Sequence, residues 1–178
     1  MTDAELILHV LERDDEAAFA TLVSRYQSRL RALLRRLVRG DEALADDLAQ
    51  ETLVRAYRHL ATFRSQASFS TWLYRIAYRT FLRDSRSRRH LLEPLETSAA
   101  GESAHAPPAP SRGFRHDLEL AMNQLSAPER AVLTLFLGSG LTHEEVAAAL
   151  EIPIGTVKTH INRGRERLRA LLLEWKTA

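Results

Sequence analysis

The chain has no cysteine, and only seven glycines and six prolines among its 178 residues. Without cysteine there is neither a disulfide framework nor a thiolate metal site. The seven histidines, at positions 9, 59, 90, 105, 116, 143 and 160, never pair at metal-ligand spacing on one helix. No apolar run approaches the roughly 20 residues that a membrane span needs. The opening MTDAELILHVLERDDE is acidic where a signal peptide would be basic. The protein is therefore expected to be cytoplasmic, with no direct membrane insertion. No stretch alternates apolar and polar residues in the manner of a half-buried strand. A phosphate-binding glycine loop is also missing. Asp46 and Asp47, adjacent on a helix, point about 100° apart and make a poor metal pair. These absences leave no catalytic residue, no metal and no cofactor to propose, and the chain is not read as an enzyme.

What is abundant is Leu, Ala, Arg and Glu, a composition that favours an all-α protein. Three zones follow one another. Residues 1–90 are helical by pattern. Residues 91–115, LLEPLETSAAGESAHAPPAPSRGFR, hold four of the six prolines and read as a flexible linker. Residues 116–178 are helical again. The expected architecture is two small helical domains, each with a modest core of its own, joined by that linker.

The formal net charge is only +2, but it is unevenly placed. Residues 41–51 carry Asp41, Glu42, Asp46, Asp47 and Glu51 with no base. Residues 75–89 carry six arginines against Asp84, and residues 155–169 carry Lys158, Arg163, Arg165, Arg167 and Arg169 against Glu166. Two basic patches and one acidic patch suggest two polyanion contacts and one protein contact.

Within the first zone, helices are expected over residues 3–12, 15–38, 41–59 and from the FSTWLYRIAYRTFLRDSRSRR stretch onward, with Gly40 ending the second and Ser68 or Ser70 capping the fourth. On the fourth helix Arg75, Arg79, Arg83 and Arg86 fall within about 80° of one another. Leu73, Ile76, Ala77, Thr80 and Phe81 take the core side. Unrelieved arginines four residues apart repel, so this face is expected to be exposed and to track phosphates. By phase, Trp72 and Phe81 belong to the core. Phe63 and Phe69, in or beside the loop before the helix, are better placed to border a base pocket.

In the last zone, SAPE (126–129) and THEE (142–145) are capping boxes. The first is expected to open a helix through Leu137. The second opens a short helix ending near Leu150, followed by the turn EIPIG and a long final helix with Val157, Ile161, Gly164, Leu168 and Leu172 as its buried seam. A short helix, a tight turn and a second helix with a basic leading face form a helix-turn-helix. Lys158, Thr159, His160, Asn162 and Arg163 are then placed to reach base edges, and Arg165 a phosphate.

The order DDLAQETLVRAYRHLATFR, FSTWLYRIAYRTFLRDSRSRR, linker, LTHEEVAAALEIPIGTVKTHINRGRERLR resembles a bacterial RNA polymerase sigma factor of the sigma-70 family. The short length is similar to its extracytoplasmic-function (ECF) subgroup. The resemblance implies that residues 1–90 are region 2, which binds core polymerase and the −10 promoter element, and that residues 116–178 are region 4, which reads the −35 element as duplex. Asp46, Asp47, Gln50, Glu51 and Arg55 match the surface that docks on the clamp of the largest polymerase subunit. Phe63, Arg64, Ser65, Gln66 and Phe69, with the arginine face of Arg75, Arg79, Arg83 and Arg86, match the part that holds the melted non-template strand. The linker would thread toward the RNA path, and an anti-sigma factor would cover both working faces. Two departures stand out. Arg79 occupies a position where relatives often carry a base-contacting Asn, and Arg75 and Ile76 stand where larger sigma factors carry a tryptophan pair. The alternative reading is a two-domain helix-turn-helix regulator whose N-terminal domain senses a ligand or oligomerises.

Overall fold

Every helix start that the structure places with a polar cap has a local reason. In the computed structural model, which describes residues 1–92 and 113–177, Thr2 and Glu5 exchange side-chain and backbone hydrogen bonds and open α1, Asp3–Arg13. Asp15 accepts from the Ala18 amide at the start of α2, Glu16–Leu37, and Asp41 accepts from the Leu44 amide at the start of α3, Glu42–Arg58. A single 3-10 turn, Leu60–Thr62, follows α3. Ser68 then caps α4, Phe69–Leu92, its Oγ accepting from the Thr71 amide at 3.2 Å. The chain leaves α2 through a left-handed turn that starts at Arg39 (φ 58), one residue before the expected Gly40 (φ 90).

The second half begins with α5, Phe114–Asn123. The Ser126–Glu129 capping box opens α6, Ala127–Leu133. The helix expected to run to Leu137 instead widens into a π turn over Thr134–Gly138. The wider turn pairs the Ser139 amide with the Thr134 carbonyl and leaves Leu137 57 % exposed. The Thr142–Glu145 capping box opens α7, His143–Leu150, and Glu151 ends it in the left-handed region at φ 57. The final helix, α8, spans Ile154–Thr177. The described residues contain no strand, and none of their helices is long and apolar enough to cross a membrane. The linker expected over 91–115 falls, apart from its ends, outside the described residues.

Two apolar clusters hold these helices together, and their boundary is not the boundary between the halves. The smaller one joins Leu6, Ile7 and Val10 of α1 to Leu22, Ala56, Leu60, Phe69 and Leu73. The larger one runs without a break from Leu30, Leu34, Leu48, Tyr74, Tyr78 and Phe81 into Leu135, Leu141, Val146, Ala149, Leu150 and Val157. The expectation of one separate core per half is therefore corrected. The cause lies in α4, which is apolar on two sides. Leu73 and Phe69 belong to the smaller cluster, with residues of α1, α2 and α3. Tyr74, Tyr78 and Phe81 belong to the second cluster, and α7 packs on this helix. A helix apolar on more than one stripe must be covered on more than one side.

Candidate nucleic-acid interface

The loop between α3 and α4 and the first three turns of α4 enclose a cleft of about 580 Å³. Phe63, Arg64, Gln66, Trp72, Arg75 and Arg79 line it, with Arg55 and Arg83 at its ends. Its floor is aromatic: the rings of Phe63 and Trp72 meet edge to face, centroids 5.5 Å apart at 62°. Its walls are cationic, and no carboxylate is among the lining residues. Flat rings beside guanidinium groups suit a base and its phosphate.

Phe69 does not line this cleft. It is 5 % exposed and packs in the smaller core cluster, its ring centroid 5.6 Å from that of Trp72. Trp72 packs against the same cluster, as expected, and also borders the cleft, whereas Phe69, expected at the base pocket, is buried behind it. As the first residue of α4, Phe69 packs on Tyr26 of α2, ring centroids 5.3 Å apart, a direction that helical phase alone does not reveal. Ser65 is exposed on the loop in a left-handed conformation, φ 55.

The arginine face of α4 lies on the exposed side as expected, with Arg79 65 % and Arg83 55 % exposed, but it is not free of partners. Arg75 is half-buried, and its Nε donates to the Ala148 carbonyl of α7 at 3.0 Å. That carbonyl lies in the last turn of its helix, where acceptors lack helical partners and the helix dipole is negative. Arg79 makes a two-pronged contact with Glu151, Nε to Oε2 at 2.8 Å and Nη2 to Oε1 at 2.6 Å. The hydrogen bond and charge of Arg79 hold the Glu151 carboxyl below its ordinary value, and Glu151 in turn raises Arg79. Arg83 donates to Glu51. Among the described residues, only Arg86 of the four expected strand contacts is exposed without an ion-pair partner.

The acidic face of α3 is also less bare than its sequence suggests, because its bases arrive from other helices. Arg31 of α2 pairs with Asp46 at 3.1 Å, Arg35 with Glu42 at 3.4 Å, and Glu51 is held by Arg55 at 3.1 Å as well as by Arg83. Asp47 and Gln50 remain exposed with no partner among the described residues, and Val54, one turn further on, is 44 % exposed.

At the helix-turn-helix, Lys158, Thr159, Asn162, Arg163 and Arg165 all lie on the exposed side of α8. Thr159 donates its hydroxyl proton to the Gly155 carbonyl at 2.9 Å. His160 departs from this set: it is half-buried, and its Nδ1 is buried without a hydrogen-bond partner. Its phase puts it with Gly164 and Arg167 toward α6, so it supports the helix rather than facing outward. Arg167, not expected to matter, pairs with the buried Glu129 at 3.2 Å and ties α8 to α6.

Residues 22–91 match the family model for sigma-70 region 2, and residues 115–168 match that for sigma-70 region 4. The chain is 35 % identical to the RNA polymerase sigma-H factor of Pseudomonas aeruginosa, over 93 % of this chain and 91 % of that one. It is 32 % identical to the ECF RNA polymerase sigma-E factor of Haemophilus influenzae, over 94 % of each. Among solved structures it is similar to the sigma factor RpoE of Bartonella quintana, solved in complex with the anti-sigma factor NepR, with a TM-score of 0.72, 28 % identity, and coverage of 86 % of this chain and 96 % of that one. CnrH, solved with the cytosolic domain of CnrY, shares the fold at a TM-score of 0.68 and 24 % identity, over 96 % of each chain. With both family regions in order along one chain, and with relatives matched over nearly their full length, the protein belongs to the ECF subgroup of the sigma-70 family of RNA polymerase sigma factors.

Proposed function

We propose that the two halves divide the work of promoter opening, with residues 1–90 acting on core polymerase and the −10 element and residues 116–178 acting on the −35 element. Asp47, Gln50 and Glu51, with Asp46 and Arg55, form the docking face for the polymerase clamp. Val54 supplies an apolar centre to that face, since exposed charge alone adds little affinity. The cleft takes a base of the non-template strand between Phe63 and Trp72, and Arg64, Ser65 and Gln66 offer polar groups at its rim. Arg75, Arg79, Arg83 and Arg86 lie along the path of the phosphates. On the duplex side, Lys158, Thr159, Asn162 and Arg163 read base edges and Arg165 a phosphate. No step in this reading asks the chain for catalysis, and its place of work is the cytoplasm, with the polymerase. Since the B. quintana relative was solved with an anti-sigma factor, a partner of that kind is proposed for this chain too.

The observation that carries this reading is the aromatic and arginine-lined cleft on the same half as the exposed Asp47–Gln50 face. It is tested by transcription from a pool of promoter fragments with purified core polymerase, with and without the protein. New initiation at a shared sequence pattern is expected. Duplex binding by the protein alone, with no initiation, would favour the ligand-sensing regulator instead.

A further inference from the structure

The cleft before α4 is lined by five arginines, Arg55, Arg64, Arg75, Arg79 and Arg83, and by no carboxylate. A guanidinium carries donors only. Four of the five already give a donor to the protein: Arg55 and Arg83 to Glu51, Arg75 to the Ala148 carbonyl, and Arg79 to Glu151. Arg64, exposed on the loop, has no side-chain partner among the described residues and keeps all of its donors.

Thr80 lies deeper. Trp72, Ile76 and Thr80 stand four residues apart and form one line along α4, so the cleft runs from an aromatic ring across an apolar side chain to a hydroxyl. Thr80 is 2 % exposed, and its Oγ1 has no hydrogen-bond partner. A threonine inside a helix can return its hydroxyl to the carbonyl four residues back, as Thr52 does to Leu48 at 2.7 Å. Thr80 does not. A buried hydroxyl without a partner costs free energy until a polar group reaches it.

The bases differ in what they offer to donors. Guanine presents O6 and N7, both acceptors, and thymine presents O4, whereas adenine and cytosine carry an amino group at the matching place. An amino group turned toward guanidinium N–H groups gives up its water and gains no acceptor. The side-chain acceptors of the lining, on Gln66, His59 and Thr62, belong to exposed residues, where water competes for them. The Thr80 hydroxyl can donate or accept, so the choice of base falls to the guanidinium groups.

We infer that the cleft selects a keto base, guanine before thymine, at one position of the melted −10 strand, with Arg64 reading the carbonyl edge of the base and Thr80 bonding it at the inner end of the cleft. This rests on the strand-binding reading given above and adds the identity of the base. Arg64 can meet O6 and N7 of guanine with two N–H donors at once; thymine, with O4 beside a methyl group, accepts only one on that edge.

A fluorescent single-stranded −10 oligonucleotide is titrated with the full-length chain assembled on core polymerase, each position of the strand being given all four bases in turn. At one position guanine is expected to bind about tenfold tighter than adenine or cytosine, with thymine between them, the size of one two-pronged base contact. Arg64→Ala and Arg64→Lys are both expected to level that preference and to leave the other positions as they were, because lysine keeps the charge but not the fork. Thr80→Val, close in shape, is expected to weaken the guanine strand about threefold and more than the others. Indifference to the base, or a preference for adenine or cytosine, would overturn the selection. Equal losses on all four bases with Arg64→Ala, restored by Arg64→Lys, would make Arg64 a phosphate contact and overturn its role. Trp72→Ala separates the inference from the reading beneath it. Weaker binding of every strand by this variant keeps the stacking cleft and lets the base series alone decide the selection. Unaltered binding, together with indifference to the base, would assign the failure to the strand-binding reading.

Discussion

Arg83 of α4 donates to the Glu51 oxygen that also accepts from Arg55 Nε. One carboxylate therefore joins the face assigned to polymerase to the face assigned to DNA. A substitution at Glu51 acts on both. Asp47, with no partner among the described residues, separates the two functions. Asp47→Arg is expected to weaken core polymerase binding at an unchanged melting temperature and unchanged oligonucleotide affinity. Glu51→Ala is expected to lower core binding and also to alter the oligonucleotide affinity, because Arg83 loses its anchor. Titration of labelled protein with core enzyme, beside an oligonucleotide titration, checks the split. Equal effects of both substitutions on both ligands would argue against two distinct faces.

Gly164 of α8 lies against Leu133 of α6, and a Cβ at that position would stand 2.7 Å from Leu133 Cδ1. Leu133 is buried at 1 % exposure and has little room to move. Gly164→Ala is expected to cost about 1–3 kcal/mol through overpacking, despite the better helix propensity of alanine. Pairing it with Leu133→Val should restore part of the loss. Chemical denaturation of the single and double variants measures both. A stabilised Gly164→Ala would mean that α8 shifts freely on α6.

The helix starts show what was legible in the sequence. Ser126, Glu129, Thr142 and Glu145 announce their helices through capping boxes, and the structure has both. The Thr2–Glu5 box has the same spacing. The docking of the halves was not legible, and α4 explains why. Counting the arc of Leu73, Ala77 and Phe81 finds one core face and leaves the arginines outside. Tyr74 and Tyr78 interleave with those arginines, and a tyrosine next to an arginine reads equally well as exposed or covered. Only the arrival of α7, from more than sixty positions away in the chain, decides between them. The same holds for α3, whose acidic run is balanced by Arg31, Arg35 and Arg83 from two other helices.

Arg130 of α6 is buried, at 2 % exposure, with Nε and Nη1 lacking hydrogen-bond partners. Burial, and then the like charge of Arg39, push it down to about 10. A base depressed in this way opposes folding below its lowered value and is relieved above it. Replacing a buried charge by an apolar side chain of similar reach is often neutral or stabilising. Arg130→Met is expected to raise the stability by about 1–2 kcal/mol, read as a higher urea midpoint at unchanged slope. A comparable loss would show that the guanidinium contributes more to the fold than its missing partners indicate.

Glu129 and Glu151 contribute to the loss of stability in acid. Burial works to raise Glu129, but hydrogen bonds from Ser126, with the charges of Arg167 and His160, outweigh it and leave the carboxyl low. Arg79 holds Glu151 low. Carboxyls with depressed values stabilise the fold above their ordinary value of 4.5 and lose that contribution as the pH falls through the depressed values. The melting temperature is expected to be level above about pH 5 and to drop below the ordinary carboxylate range. Glu151→Gln should flatten part of that drop. A pH series of thermal melts for the two proteins gives the comparison.

The apolar cluster that runs from Leu34 and Tyr78 into Leu135 and Val146 has a consequence for how the chain responds to cutting. A protease acting between residues 92 and 113 would nick the polypeptide without parting it. Each fragment would keep one wall of a shared interior, and neither could expose that wall to water without loss. The nicked pair should migrate as one particle and melt in one transition, as a noncovalent heterodimer made from a single gene product.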